Sequence, residues 1–174
     1  MTYSVIRVRA TPGAARSGRT GGVVVVAGIA VAAWISFGRH LFGIGGDLTI
    51  IYAATLGVIF AALLVITGLA VGRSARRGFE TRAITYAFLV ASVVSGILLG
   101  LTLPDSTPRG FQTIISGPTE PGLGIAIGIA NPLGVIGIAT AIIALVLSIR
   151  DSRGRITLVE SWGDEDESAP VEPA

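Results

Sequence analysis

The chain alternates between long apolar stretches and short polar connections. Four stretches, at about residues 21–42, 48–72, 83–103 and 123–149, are each long enough to cross a bilayer, which takes roughly 20 mostly apolar residues. The second and third contain no charged residue, and the second would be about 37 Å long as a helix, so it should tilt or project. The pattern predicts an all-α membrane protein, a four-helix transmembrane bundle.

The fourth stretch is the least regular. Asn131-Pro132 lies inside it, and Asn is a favoured N-cap and Pro a favoured first helical residue. The last helix is therefore expected to be kinked or broken at Asn131-Pro132. In the broken form, residues 122–131 make a separate outer or re-entrant piece; the alternative is one long helix with a proline kink.

The flanks complete the domain plan. Residues 1–20 form an Arg-rich N-terminal segment, and residues 104–121 a turn-rich outer loop with Pro104, Pro108, Pro118 and Pro121. Residues 150–174 form a tail that is acidic and expected to be disordered from 163. Tyr3–Val8 and Ile156–Val159 are β-prone and could pair, but an isolated two-stranded ribbon is marginal, so both are expected to be loosely ordered.

All thirteen basic residues are arginine, and eleven lie before the first stretch, between the second and third, or after the fourth. The remaining two are Arg39 and Arg109. Arg-rich flanks stay cytoplasmic, so both termini are expected inside. The all-arginine basic set, with abundant Ala, Gly and Val, points to a GC-rich bacterial genome and hence to a bacterial inner membrane. Residues 1–22, Val23–Ile29 and Ala30-Val31-Ala32 imitate a signal peptide with its cleavage site. The charged region is long for one, and the apolar run continues through Trp34, Ile35 and Phe37, so the segment is read as the first span.

Composition narrows the chemistry. Only 14% of residues are charged, mean hydropathy is +0.76, net charge is +2, and cysteine is absent. Thiolate metal sites, disulfides and cysteine nucleophiles are excluded. The single histidine, His40, leaves no multi-histidine metal or haem set in one chain. With no lysine there is no Walker motif, and the arginines gather beside apolar stretches rather than along one face, so nucleic-acid binding is not expected. No ionisable residue sits near the centre of a span, where such residues usually mark function. No catalytic residue, cofactor or metal site is therefore assigned, and the chain is read as a non-enzyme.

Three residue groups remain as candidates. Arg39, His40 and Asp47 cluster at the outer end of the first hairpin; with Asn131 they form a possible polar site. The alternative reading has Arg39 snorkelling to headgroups and Asp47 capping the second helix. Arg73, Arg76, Arg77 and Arg82 are read as topology signals in contact with anionic lipid, with Glu80 expected to pair with Arg76 or Arg77. Small residues spaced for close helix contact are Gly57, Gly68 and Gly72, then Ser92, Gly96 and Gly100, then Gly124 and Gly128. They predict packing within the bundle, or a face for a membrane partner or a second copy, with the Gly96–Gly100 face the first choice for a partner. The expected function is an accessory, assembly or scaffold subunit of a membrane complex. The alternative is a small transporter or channel component, its path near the broken fourth helix and lined by Asn131 and Thr140.

Overall fold

The computed structural model describes the backbone of residues 3–8, 15–153 and 155–160, and the side chains of 19–153. The acidic segment from Gly163 lies outside the described residues.

Among the described residues, four helices are long and apolar enough to span a membrane. The first runs Ala15–Phe37 and tightens into a 3-10 turn at Gly38–Phe42. That turn stops at Gly43, whose φ of 68° is the left-handed conformation that glycine adopts without a steric penalty. The second runs Thr49–Arg76, the third Ala83–Thr102, and the fourth Gly122–Ser152. The third helix ends at Leu103 in extended backbone, as expected for a residue preceding a proline.

The fourth helix is continuous as α-helix through Asn131-Pro132, so the expected break and the separate 122–131 piece are absent. Two features permit this. Pro132 lies on the exposed side, and a stripe at helical spacing on either side of it (Leu123, Ala126 and Ala130 before, Gly137, Ala141 and Ala144 after) is buried against neighbours. A proline costs one helical hydrogen bond, which packing along the whole length outweighs.

The helices form a closed ring in which the first touches the second, the second the fourth, the fourth the third, and the third the first. The second and third helices, although consecutive in the chain, lie on a diagonal of this ring. Phe60 explains the arrangement. Its fully buried ring projects from the second helix and fills the space beside Gly96 of the third and Gly137 of the fourth. A Cβ on Gly137 would lie 2.7 Å from Phe60 Cζ, so the three helices close only around a glycine there.

The small-residue stripes divide into two kinds. Gly57 packs against Ser36, Gly68 against Val25 and Gly21, Gly96 against Val31, and Gly100 against Trp34. Ser92 donates a 3.0 Å hydrogen bond to the Gly137 carbonyl. Gly72 receives the close approach of Gly21, although its own Cβ would have open space. Gly124 and Gly128, by contrast, are exposed and meet no other helix within the chain, which leaves for them the second of the two expectations, a face for a partner. Elsewhere the outer surface is apolar, with Val26 67% and Val135 69% exposed, the distribution a lipid solvent favours.

Between the third and fourth helices, Asp105–Thr107 pairs antiparallel with Gly110–Gln112. At the opposite end Tyr3–Val8 pairs antiparallel with Arg155–Glu160, Tyr3 opposite Glu160 and Val8 opposite Arg155. The two β-prone segments are thus paired, the alternative that the sequence left open. The first strand precedes the first helix and the last follows the fourth, so helix packing has already brought the two segments to one end, lowering the entropic cost of joining them. This is the proximal end of the bundle, and the end that carries the Asp105–Gln112 hairpin is the distal one.

Candidate functional site

The distal end is organised by a buried carboxylate that sequence analysis did not select. Asp105 follows Pro104 and is completely buried. Its Oδ1 accepts hydrogen bonds from the N–H groups of Leu48 (3.0 Å) and Ser106 (2.8 Å). Its Oδ2 accepts from the Thr49 hydroxyl (2.8 Å) and from Arg39 Nη1 (3.3 Å). Burial alone would raise the pKa of Asp105, but hydrogen bonds from Thr49 and from the backbone of Gly46, Leu48 and Ser106 outweigh it and hold the carboxyl below its ordinary range.

Arg39 is the matching cation, 1% exposed. Its Nη2 donates to the Ile35 carbonyl at 3.0 Å, and its guanidinium carbon lies 4.5 Å from the centre of the Tyr52 ring. Nε is buried without a partner. Two local features bring these groups together. Thr49–Arg76 contains a π-type turn at Ala53–Gly57. In a regular helix residues five apart point about 140° apart; the wider turn places Tyr52 and Gly57 on the same side, facing Arg39 and Ser36. Gly46 lies against the Ser106 carbonyl, and any side chain there would push the 46–48 segment off Asp105.

The proximal end repeats the chemistry. Asp151, at the end of the fourth helix, accepts from Arg82 Nε (2.8 Å), the Arg82 N–H (3.1 Å) and the Thr85 hydroxyl (2.8 Å). It thereby caps the start of the third helix, while Arg77 reaches the Ser152 carbonyl at 3.3 Å. Each end thus has one buried aspartate joining the tip of one helix to the start of another. The ends differ in solvent access: the Arg82 side chain is 41% exposed, whereas Arg39 is sealed. Asp151→Ala leaves Arg82 free to turn to water, so thermal unfolding in detergent should show a loss of about 1.5–3 kcal/mol, the scale of hydrogen bonds to a charged group.

The predicted polar set is therefore only partly assembled. Arg39 is in it; His40 and Asp47 are exposed, and Asp105 rather than Asp47 accepts the N–H of Leu48, the residue before the second helix. Asn131 is exposed on the fourth helix, away from the cluster. Of the basic loop, Arg73, Arg76, Arg77 and Arg82 are all exposed. Among the described residues there are two ion pairs, and Glu80 is in neither.

No protein-family model, curated protein or solved structure matches this chain. An ionised Asp105 that already accepts four side-chain and backbone hydrogen bonds is a poor proton acceptor near neutral pH, and its partner Arg39 faces no open space. The arrangement fastens helix ends and exposes no reacting atom.

A sequence signal existed for Asp151 and for Arg39, the partner of Asp105, but not for Asp105 itself. Arg39 continues the buried positions Gly28, Val31, Ala32 and Ile35 at helical spacing, and a buried arginine requires a carboxylate. Asp151 likewise continues Ala144 and Ser148. Choosing Asp105 over the nearer Asp47 requires knowing that the third helix stands beside the first.

Proposed function

We propose that this chain is an accessory, assembly or scaffold subunit of a membrane complex, without catalytic machinery of its own. The observation that carries the proposal is an unused face on the fourth helix. Gly124 and Gly128 stand one turn apart, exposed, with Asn131 on the next turn and no hydrogen bond to its amide from the described residues. Small residues let a second helix approach closely, and an Asn amide adds an interhelical hydrogen bond. The other glycine stripes are consumed inside the chain. This moves the partner face from Gly96–Gly100, where Val31 and Trp34 already pack, to Gly124–Asn131.

The setting proposed is a bacterial inner membrane with both termini cytoplasmic. The arginine distribution supports it, since eleven of thirteen flank the proximal ends. Anionic lipids would contact Arg73, Arg76 and Arg77 on that side. The transport alternative drew on a discontinuous fourth helix; that helix is continuous, and the Thr140 hydroxyl bonds back to the Ile136 carbonyl at 2.7 Å, so no observation favours it.

Purification of the tagged chain from its native membrane in mild detergent, with quantitative mass spectrometry, tests the reading. A partner at a one-to-one ratio, or a defined homo-oligomer, is expected. Gly128→Leu should reduce recovery of that partner about tenfold, a loss of ~1.4 kcal/mol, with no change in the melting temperature of the chain. A monomer alone, or full recovery with Gly128→Leu, overturns the proposal.

A further inference from the structure

Between the end of the third helix and the first turns of the fourth lies a groove of about 440 Å³, in the size range of small-molecule sites. The connecting segment covers its distal end. Ile115, Ile125, Ala126 and Ile129 make its apolar wall, and Thr102 lies at its inner end. Ser116, Thr119 and Glu120 form the polar rim, with Glu120 the one charged residue lining it.

Depth can be read from the helix pairing. Ser92 meets Gly137, and Leu99 lies beside Gly134, so Ile129 is level with the last turn of the third helix. The direction from Glu120, just before the fourth helix, to Ile129, about 10 Å along that helix from its start at Gly122, therefore leads from the distal surface into the bilayer. Ser116, Thr119 and Glu120 stand outermost and Ile125 and Ile129 inward, the order of a lipid in that leaflet, while the hydroxyl of the inner Thr102 is bonded back to the Leu98 and Leu99 carbonyls of its own helix.

The rim also selects a headgroup. The Ser116 hydroxyl shares a 2.8 Å hydrogen bond with Thr113 and lies 3.2 Å from the Gly117 carbonyl. The Thr119 hydroxyl donates to the Ser116 carbonyl at 2.9 Å. Glu120 Oε2 accepts from the Gly124 N–H at 3.1 Å, leaving Oε1 available. The rim thus offers acceptors and a negative charge, with its hydroxyl protons already committed. That combination attracts a cation bearing N–H donors and repels an anionic head.

The geometry points to a binding site for an ammonium-headed phospholipid of the distal leaflet, its head at Glu120 and one acyl chain along Ile125 and Ile129. The inference does not depend on the accessory-subunit reading, since a lipid site serves a protein of any function.

The full chain is placed in nanodiscs of equal phosphatidylethanolamine and phosphatidylglycerol, released, and weighed by native mass spectrometry. The wild type should retain one phosphatidylethanolamine in preference to phosphatidylglycerol by about fivefold, the equivalent of ~1 kcal/mol. Glu120→Gln keeps an acceptor for the Gly124 N–H, so the helix start is preserved while the charge is removed. It should bring the preference to within about twofold. Ile129→Trp fills the groove and should lower retention of both lipids about fivefold. If that variant does not fold, Ile125→Trp, at an exposed wall position, makes the same test. Equal retention by the wild type, an undiminished preference in Glu120→Gln, or full retention in the tryptophan variant overturns the assignment.

Discussion

Asp105→Ala should destabilise the bundle by about 3–5 kcal/mol, the cost of stranding one member of a buried ion pair. Arg39 is 1% exposed and cannot turn to water without opening the distal end, and the Leu48 N–H and Thr49 hydroxyl lose their acceptor at the same time. Thermal unfolding in detergent, followed by tryptophan fluorescence, measures the loss. Replacing both partners, Arg39→Met with Asp105→Asn, should recover much of it, because a neutral pair carries no uncompensated charge. A change below about 1 kcal/mol for Asp105→Ala would show that water reaches Arg39 and that the pair behaves as an exposed one.

The same carboxylate sets a pH response. Its pKa in the folded protein lies below the ordinary 3.8. A depressed carboxylate contributes stability that is fully present above its unfolded pKa and lost as pH falls through the folded value. From pH 5 to 8 this group should leave the melting temperature unchanged; below about 3.8 the melting temperature should fall, and Asp105→Asn should remove that part of the fall.

Gly68→Leu should be the second large effect, about 3 kcal/mol or more, at the upper end for overpacking. A Cβ at Gly68 would lie 2.8 Å from the Val25 nitrogen and 2.9 Å from the Gly21 carbonyl oxygen. Those are backbone atoms, so the first and second helices must separate; no side chain can rotate aside. Gly21 is the reciprocal position, its Cβ 2.7 Å from the Gly72 nitrogen. Gly72→Ala supplies the contrast. It belongs to the same sequence stripe, yet its Cβ meets nothing within 4 Å, and it should change stability by less than about 0.5 kcal/mol. Equal tolerance of Gly68→Leu and Gly72→Ala in the same unfolding assay would overturn this account of the contact.

Much of the candidate site was legible as residue types but not as pairings. Arg39 stood in phase with a buried stripe, and Asp151 in phase with Ala144 and Ser148. Asp105 lay in a proline-rich loop with no helical phase to reveal it, and Asp47, only eight residues from Arg39, was the nearer candidate. Spatial proximity is decided by the ring order, in which the third helix stands beside the first and brings Asp105 to Arg39. The glycines behave alike: four-residue spacing marks Gly68 and Gly128 equally, but only Gly68 has a neighbouring backbone against it.

The sequence by itself determined the solvent and the elements. Four apolar stretches of bilayer length form helices because every backbone polar group must be paired within its own segment in hydrocarbon, and their ends fall where glycine, proline and charge appear. Asn131-Pro132 is the exception, since local cap preferences gave way to contacts along the whole fourth helix. What the tertiary structure decided was the neighbour relations: which small residues pack and which stay exposed, which aspartate meets which arginine, and that two marginal strands pair at one end. These depend on a packing order around Phe60, the sum of many weak contacts between residues far apart in the chain, which no local spacing encodes.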